Sequence, residues 1–518
     1  MNDAKIVTKE DFLEKRNRFR RVNKKVVLCH GVFDLLHYGH IEHLKEAKEQ
    51  GDILVVSVTA ASYVNKGPGR PYFNDQQRMA FLASLEIVDY VILSEQVTVH
   101  EIVKYVQPDI YVKGQEYAVT KNDVTGNIVL EQEIVDEYGG EIYFTQGAVY
   151  SSTKLLNNFF DALPENVVQE SRALKVKYGI DLPNKIIKMV NDFSRMNVLV
   201  IGDIIIDDYI FCKVQGLTTK DATMSTRYDF KERYAGGALA IARHLSNFTG
   251  QVTLLSMMGN ECDIKDYINH IMPPVVCDIV ENEKFVTPLK VRFLKKHAQR
   301  QEYEKLFSIN KLLDIKKIKE IDYKQFYQKL EMLVPQYDLV VLCDYGHGLL
   351  DSKSIQIIEK HSKYLAVNCQ TNSSNYGHNI ISKYHYADTF VVDERELRLA
   401  YGQEILENKE LLEKLGDQLK SKYAWATLGA EGALGRMKNM DRSEECRLSA
   451  VTLHVKDTVG AGDAFYALAT LGAVSGLPID VATLIANVAG AIKTNLIGNS
   501  RAIEKIDLLK YLNTVLNV

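Results

Sequence analysis

The sequence predicts an α/β protein with two domains in tandem, each built on a parallel sheet covered by helices. Three observations carry this. Short β-branched runs alternate with segments of helical spacing, the pattern of parallel strands joined by crossover helices. The alternation fades near residue 155 and starts afresh at 197. The chain has 518 residues, more than one hydrophobic core serves at roughly 100 to 200 residues per domain.

In the first half, residues 26–28 (VVL), 53–58 (ILVVSV), 90–93 (YVIL) and 110–112 (IYV) read as strands, and Ile41–Glu49 and Asp75–Leu85 as helices between them. In the second half, 197–201, 338–343, 365–367, 389–392 and 424–428 read as strands. Between the halves lies a polar stretch of helical patterning interrupted by Pro164 and Pro183. The expected organisation is a first domain over 1–160, a helical linker over 161–192 and a second domain over 193–518. No internal repeat or low-complexity segment is evident.

Composition narrows the function class. With 46% hydrophobic and 25% charged residues, disordered, collagen-like and disulfide-scaffold readings are excluded. The 63 Lys+Arg against 67 Asp+Glu give a net charge of -4, so no global basic field draws in nucleic acid or anionic membrane. Seven thinly spread cysteines suit a reducing compartment. The N-terminus lacks an apolar leader and no run of about 20 apolar residues occurs, so a cytoplasmic protein is expected. The basic run Lys15, Arg16, Arg18, Arg20, Arg21, Lys24, Lys25 has only Phe19 interleaved and reads as a solvated helix, not an RNA contact. The lone Trp425 lies in an apolar strand and reads as core.

The first functional constellation follows the first strand. VVLCH runs into GVFDLLHYGHIEHLKEA, placing His37, Gly39 and His40 at a helix start beyond a strand's carboxyl end, where open α/β sheets bind ligands. The helix N-terminus offers free N–H groups, and two imidazoles beside it can donate to phosphate oxygens as charge builds. Gly39 lets backbone approach a nucleotide without a Cβ. His37, His40 and His43 at i, i+3 and i+6 are also compatible with a metal face or a chance run on a solvated helix. The motif G-x-F-D-x-x-H-x-G-H, beginning at Gly31 and Phe33, resembles the signature of the HxGH nucleotidyltransferases, which make activated nucleotides with release of pyrophosphate. That resemblance implies a Rossmann-like domain in which the two histidines stabilise the transition state.

The resemblance extends over about 150 residues: Lys66-Gly67-Pro68-Gly69-Arg70-Pro71, Gln77-Arg78-Met79, Leu85-Glu86-x-Val88-Asp89, Pro108-Asp109-x-x-Val112-Lys113-Gly114 and Ser151-Ser152-Thr153-Lys154. In that order they are similar to the nucleotidyltransferase half of the bifunctional heptose-phosphate kinase/adenylyltransferases that make ADP-heptose. The similarity implies that Lys66 contacts phosphates and is catalytic, that Lys113 and Gly114 lie in the nucleotide pocket, and that Ser152 and Thr153 open a helix holding the triphosphate. Ser/Thr at a helix start is also an anion site on its own terms. Gly147-Ala148-Val149-Tyr150 stands where glycerol-phosphate cytidylyltransferases carry an Arg, which favours the heptose-type branch.

The second constellation is Asp457-Thr458-Val459-Gly460-Ala461-Gly462-Asp463 before an apolar helical run. Small residues let N–H groups crowd a γ-phosphate at a helix N-terminus, and Asp463 can accept a proton from an attacking hydroxyl. The motif resembles that of the PfkB (ribokinase-like) carbohydrate kinases. The resemblance implies an α/β/α domain with Asp463 as catalytic base and Gly460, Ala461 and Gly462 as anion hole. It further implies that Asp203, Asp207, Gly236 and Gly237 bind the sugar, and that Thr427, Gly429 and Gly432 contact nucleotide. Lys290 and Arg292 are similar to a basic pair in the heptose kinases and suggest a substrate phosphate. Departures occur at Ala240, where the family usually has Asn, at Asn368-Cys369-Gln370-Thr371-Asn372 in place of D-P-x, and at Asp393-x-x-Glu396, whose Glu396 still offers a carboxylate for water-bridged Mg²⁺. Asn368, Asn372, Asn375 and Asn379 suit either a polyol or a loop bonding its own backbone.

The expectation is therefore a bifunctional enzyme: an ATP-dependent sugar or sugar-phosphate kinase joined, in inverted domain order relative to the heptose enzymes, to a nucleotidyltransferase using ATP or CTP. Mg²⁺ serves both steps; partners are small molecules, with a homodimer as a further expectation. The alternatives are CTP-dependent activation of another polyol phosphate, or a kinase fold kept only for binding or regulation.

Overall fold

The computed structural model describes residues 3–64, 71–96, 99–114, 127–145, 163–219, 221–296, 303–372, 375–402, 405–439, 442–452 and 455–517. The chain divides into two compact units, residues 1–165 with 509–518, and residues 166–508.

The first unit carries β1 (Val26–Gly31), β2 (Ile53–Thr59), β3 (Tyr90–Ser94), β4 (Ile110–Lys113) and β5 (Glu141–Phe144). They pair in parallel in the order β3-β2-β1-β4-β5. β2 is buried along its whole length, as expected when helices cover both faces of a parallel sheet. The order reverses at β1, so crossovers leave to opposite sides and a crevice opens beyond the carboxyl ends of β1 and β4. The helix Tyr38–Glu49 begins there.

The N-terminal basic run is helical and mostly solvated, as its composition suggests, with one inward-facing exception at Arg16. It folds as Lys9–Arg21 with Phe12 and Arg16 buried, because apolar contact and a specific acid draw one face inward. Arg16 donates to Asp109 at 2.9 Å and to the Gln107 carbonyl at 2.8 Å, and the Phe12 ring meets Tyr90 edge-on. Arg18, Arg20, Arg21, Lys24 and Lys25 are exposed.

The second unit has two sheets. Nine strands run in the order β10 (Val275–Glu281), β9 (Gln251–Met258), β6 (Asn197–Gly202), β13 (Leu339–Asp344), β14 (Leu365–Cys369), β15 (Thr389–Asp393), β16 (Tyr423–Thr427), β17 (Ala433–Asn439), β18 (Arg442–Leu448). All neighbours are parallel except at the two pairings made by β17. A smaller sheet runs β12 (Tyr303–Lys311), β11 (Leu289–Lys296), β7 (Ile204–Leu217), β8 (Met224–Gly237). Trp425 is fully buried in β16 and donates to the Thr483 hydroxyl at 2.8 Å.

The polar stretch between the halves forms the helices Glu165–Tyr178 and Leu182–Asp192, and Pro183 sits in the first turn of the latter, where its missing N–H costs nothing. The first of these is fastened within the second unit. Lys177 and Tyr178 both donate to Asp480 at 2.7 Å, and Ser449 donates to Glu170. Among the described residues no helix is long and apolar enough to cross a membrane.

Candidate functional site

In the first unit, β1 ends at Gly31 and the chain turns through Phe33, whose φ of 47° is an unusual conformation for a bulky residue. A Cβ on Gly31 would stand 3.2 Å from the Phe33 ring, so the glycine makes room for it. His37 is the extended N-cap residue of Tyr38–Glu49, and Gly39 and His40 lie in the first turn. The two imidazole centroids are 4.0 Å apart, and His40 Nδ1 accepts the His37 N–H at 3.4 Å. That contact favours the neutral tautomer with hydrogen on Nε2, a donor on the outer edge of the ring. Burial lowers the His37 pKa, which keeps its ring neutral near pH 7.

His43 Nδ1 lies 3.2 Å from the Thr145 hydroxyl. No cluster of three or more His, Cys, Asp or Glu suited to a metal occurs among the described residues. Lys113 ends β4 beside Gly114, and its ammonium meets Glu131 at 2.6 Å. Lys66, Ser152 and Thr153 lie outside the described residues.

Arg78, which in the sequence stands out only as one member of a motif, is fully buried. It donates to the carbonyls of Val32 (2.6 Å), Thr59 (2.8 Å) and Phe73 (3.1 Å) and to Asp75 (2.5 Å). One guanidinium thus ties the turn after β1 to the end of β2. Phe73 N–H in turn donates to Asp34 at 3.0 Å.

The second unit gathers its motif residues around a cavity of about 280 Å³. Asp207, Gly236, Gly237, Lys290, Arg292 and Asp463 line it, as do Gly460, Gly462, Thr427 and Glu396. Gly429, Gly432 and Ala461 line an adjoining groove of about 1350 Å³, which shares Asp393, Thr427 and Gly462 with the first.

Each side chain has a local cause. Gly460 has a φ of 81° and N-caps the helix Ala461–Val474, so Asp463 falls in the first turn with the free N–H groups. Its Oδ1 accepts from Tyr345 Oη at 2.9 Å and Gln370 Nε2 at 3.1 Å. Oδ2 has no hydrogen-bond partner among the described residues. Burial raises its pKa, which favours proton acceptance.

Gly236 and Gly237 end β8 where there is no room for a side chain: a Cβ would come within 2.6 Å of Asp207 Oδ2 and 2.5 Å of the Asp203 carbonyl, respectively. Asp207 Oδ1 accepts two bonds from Arg292, at 3.0 and 2.7 Å. Lys290 has no such partner among the described residues, and burial lowers its pKa. The basic pair is therefore asymmetric: both side chains line the cavity, but Arg292 is paired with Asp207 and Lys290 is not hydrogen-bonded to a carboxylate among the described residues.

Asp203, expected to bind the sugar, is buried and is not among the residues lining the cavity; its Oδ2 accepts the Tyr345 N–H at 3.0 Å and its Oδ1 is unpartnered among the described residues. Burial, then the nearby Asp344, pushes its pKa up to about 7. Asp344 goes the other way despite equal burial, because Lys383 lies 2.5 Å away and Tyr384 Oη donates at 2.6 Å.

Glu396 closes a capping box, accepting the Asp393 N–H at 2.8 Å and the Thr371 N–H at 2.9 Å. Burial pushes its pKa up to about 8. The asparagine run settles as loop architecture. Asn372 and Asn375 each donate to the Tyr345 carbonyl at 2.8 Å, and Asn379 to the Asp344 and Gln370 carbonyls. Only Asn368 of the four lines the cavity. Ala240 is buried in the helix Ala238–Ser246.

Residues 28–158 match the cytidylyltransferase-like family and residues 195–506 match the pfkB family of carbohydrate kinases. The bifunctional protein HldE of Aliarcobacter butzleri is 38% identical over 138 residues, 26% of this chain and 28% of that protein. HldE of Nitratiruptor sp. is 42% identical over 120 residues, 23% of this chain and 26% of that protein. The match thus spans less than a third of these curated relatives' own length. Phosphofructokinase-2 from Escherichia coli, solved in complex with substrates and products, superposes with a TM-score of 0.47 at 15% identity, over 62% of this chain and 99% of that one. With a Rossmann-like cytidylyltransferase-like domain in its N-terminal part and a ribokinase-like domain matched over most of its length, the chain is a transferase that belongs to the pfkB family of carbohydrate kinases.

Proposed function

We propose that the chain is a bifunctional enzyme that phosphorylates a sugar phosphate in its second unit and couples a sugar 1-phosphate to a nucleotide in its first, releasing pyrophosphate and giving an ADP-heptose-like product. The observation that carries the kinase half is Asp463. Its carboxylate stands at the start of a glycine-capped helix, with one oxygen fixed by Tyr345 and Gln370 and the other open. The open Oδ2 accepts the proton of the attacking hydroxyl, while the N–H groups following Gly460 receive the transferred phosphoryl group. The adjoining groove, bounded by Thr427, Gly429 and Gly432, accommodates the rest of an ATP.

Mg²⁺ fits the donor set: the cavity edge offers the hard oxygens of Asp393 and Glu396, which suit a cation that keeps its waters. It would supply charge neutralisation on the phosphates. In the first unit, the Nε2 edges of His37 and His40 stabilise charge on the α-phosphate. Lys66, Ser152 and Thr153 complete that site in this reading, with Lys113 and Gly114 at the nucleotide.

The cavity's recognition group is a phosphate on the sugar, held chiefly by Lys290. A charge-assisted bond is worth about 1.5–3 kcal/mol, so Lys290→Ala should raise KM for a phosphorylated sugar by about 10- to 100-fold. Arg292→Ala should also raise it, less directly, since Arg292 is bound to Asp207. Because the bond is made equally in ground and transition states, kcat should change little. Steady-state kinetics with matched free and phosphorylated sugars decide the point, and equal use of the free sugar would refute phosphate recognition.

The overall reading is tested by incubating candidate sugar phosphates with ATP, or with ATP and CTP, and weighing the products. A mass gain of one phosphoryl group reports the kinase, and a nucleotide-sugar mass reports the transferase and its base. His40→Ala should reduce pyrophosphate release by about 10²-fold while phosphoryl transfer continues. A transferase unimpaired by the substitution would remove the histidine turn from the chemistry.

A further inference from the structure

The helix Ile479–Thr494 carries Lys493 in its last turn, fully buried. A buried ammonium persists only where its donors are met. Here Lys493 Nζ donates to the carbonyls of Val459 at 2.7 Å and Gly498 at 2.6 Å. Asp457 holds the opposite poles of the same two residues, accepting the Val459 N–H at 3.0 Å through Oδ1 and the Gly498 N–H at 2.8 Å through Oδ2. A cation and an anion thus grip both ends of two residues far apart in sequence.

Each of those two residues sets the position of its successor in the chain. Val459 precedes Gly460, whose positive φ starts the helix that bears Asp463. Gly498 precedes Asn499, which lines the cavity and whose Oδ1 has no partner among the described residues. Gly460 lies between them: a Cβ there would fall 2.4 Å from Asn499 Oδ1 and 3.0 Å from Lys493 Cε. A peptide cannot point its carbonyl and its N–H in one direction, so fixing the Val459 carbonyl on the ammonium aims the next N–H the other way.

We infer that Lys493 is a positioning residue for phosphoryl transfer: its ammonium keeps the Val459 and Gly498 carbonyls turned from the anion hole and sets a positive charge beneath the transferred phosphate. This rests on the kinase reading of Asp463. Preorganised charge of this kind acts where charge develops and needs no rearrangement during the step. The groups around the ammonium are Asp457 in the preceding loop, Asp463 on the helix Ala461–Val474 and Asp207 on β7, with His244 on Ala238–Ser246 feeling its charge. Burial brings its pKa down to about 8 against the pull of the three acids, so the charged form is the majority at neutral pH.

The test uses the full chain with Lys493→Met, which keeps the apolar stem, and Lys493→Ala, which leaves the carbonyls facing a space an ammonium ion can enter. Lys493→Met should lower kcat for phosphoryl transfer by about 10- to 100-fold and leave KM for the sugar nearly unchanged. Independent of turnover, calorimetry should show a larger loss of affinity for ATP than for ADP, because only ATP brings a γ-phosphate to the anion hole. In Lys493→Ala, ammonium chloride should restore kcat and ATP affinity where sodium chloride at equal ionic strength does not. Should Lys493→Ala not fold, the ATP-against-ADP comparison in Lys493→Met decides alone. Equal losses for ATP and ADP, or an unchanged kcat, would overturn the inference and leave a lysine that only supports the fold. A wild-type protein that phosphorylates no sugar, while Lys493→Met still loses more affinity for ATP than for ADP, would instead overturn the kinase reading and leave Lys493 as a residue that shapes a γ-phosphate site.

Discussion

Replacing Asp463 with Asn should abolish phosphoryl transfer, lowering kcat by about 10²- to 10⁴-fold, while pyrophosphate release from a supplied sugar 1-phosphate continues. At about 1.36 kcal/mol per decade, this is roughly 3–5 kcal/mol of transition-state stabilisation. The substitution is conservative in shape. An amide oxygen can still accept from Tyr345 and Gln370, so the loop around β13 and β14 keeps its anchors, but the amide cannot take a proton. Burial raises the Asp463 pKa, so the wild-type rate should fall on acidification at a pH above the ordinary aspartate range, and the residual rate of Asp463→Asn should lack that limb. Undiminished turnover in the variant would remove Asp463 from the mechanism.

The largest effect on stability is expected at Arg78. Its guanidinium satisfies three carbonyls and one carboxylate at zero exposure. Arg78→Met preserves much of the stem but leaves three carbonyls without this donor and Asp75 with only the Ala61 N–H among the described residues, a loss of about 3–5 kcal/mol for breaking a buried charged network. Arg78→Lys should retain only part of this, since an ammonium cannot reproduce the fork. The two units can be read separately, because the single tryptophan, Trp425, lies in the second. Chemical denaturation followed by far-ultraviolet circular dichroism should show a destabilised first unit while the Trp425 fluorescence transition stays in place. A first unit as stable as wild type would show that the guanidinium is dispensable.

Most of the parallel-sheet framework was legible because its strands are buried on both faces and therefore spell continuous apolar runs, as at Ile53–Thr59. The two glycine-rich helix starts were legible for a local reason: crowding N–H groups near a phosphate demands small residues next to one another. The outer halves of β7 and β8 were not, since past Cys212 and before Tyr234 they are largely exposed and polar and carry no apolar signature. The partners of Asp463 were hidden for another reason. Tyr345 and Gln370 lie 118 and 93 residues away, and nothing in their own neighbourhoods marks them as donors to a distant carboxylate. Lys493 looks in sequence like an ordinary charge in a helix's last turn. The asparagine run left two readings open in sequence, and the structure takes the loop one, the amides of Asn372, Asn375 and Asn379 being used by the backbone of Asp344, Tyr345 and Gln370.

The fastening of Glu165–Tyr178 bears on how the molecule can be dissected. A fragment begun at residue 193 discards Lys177 and Tyr178, two side-chain donors to the nearly buried Asp480 carboxylate at the head of a core helix, and leaves it the Val481 N–H; it also discards the Glu170 acceptor of Ser449. Removing the cation that pairs with a poorly solvated anion is among the more damaging truncations a fold can suffer. The portable kinase module therefore starts upstream of this helix, and expression of the second half alone calls for a cut ahead of Asn166.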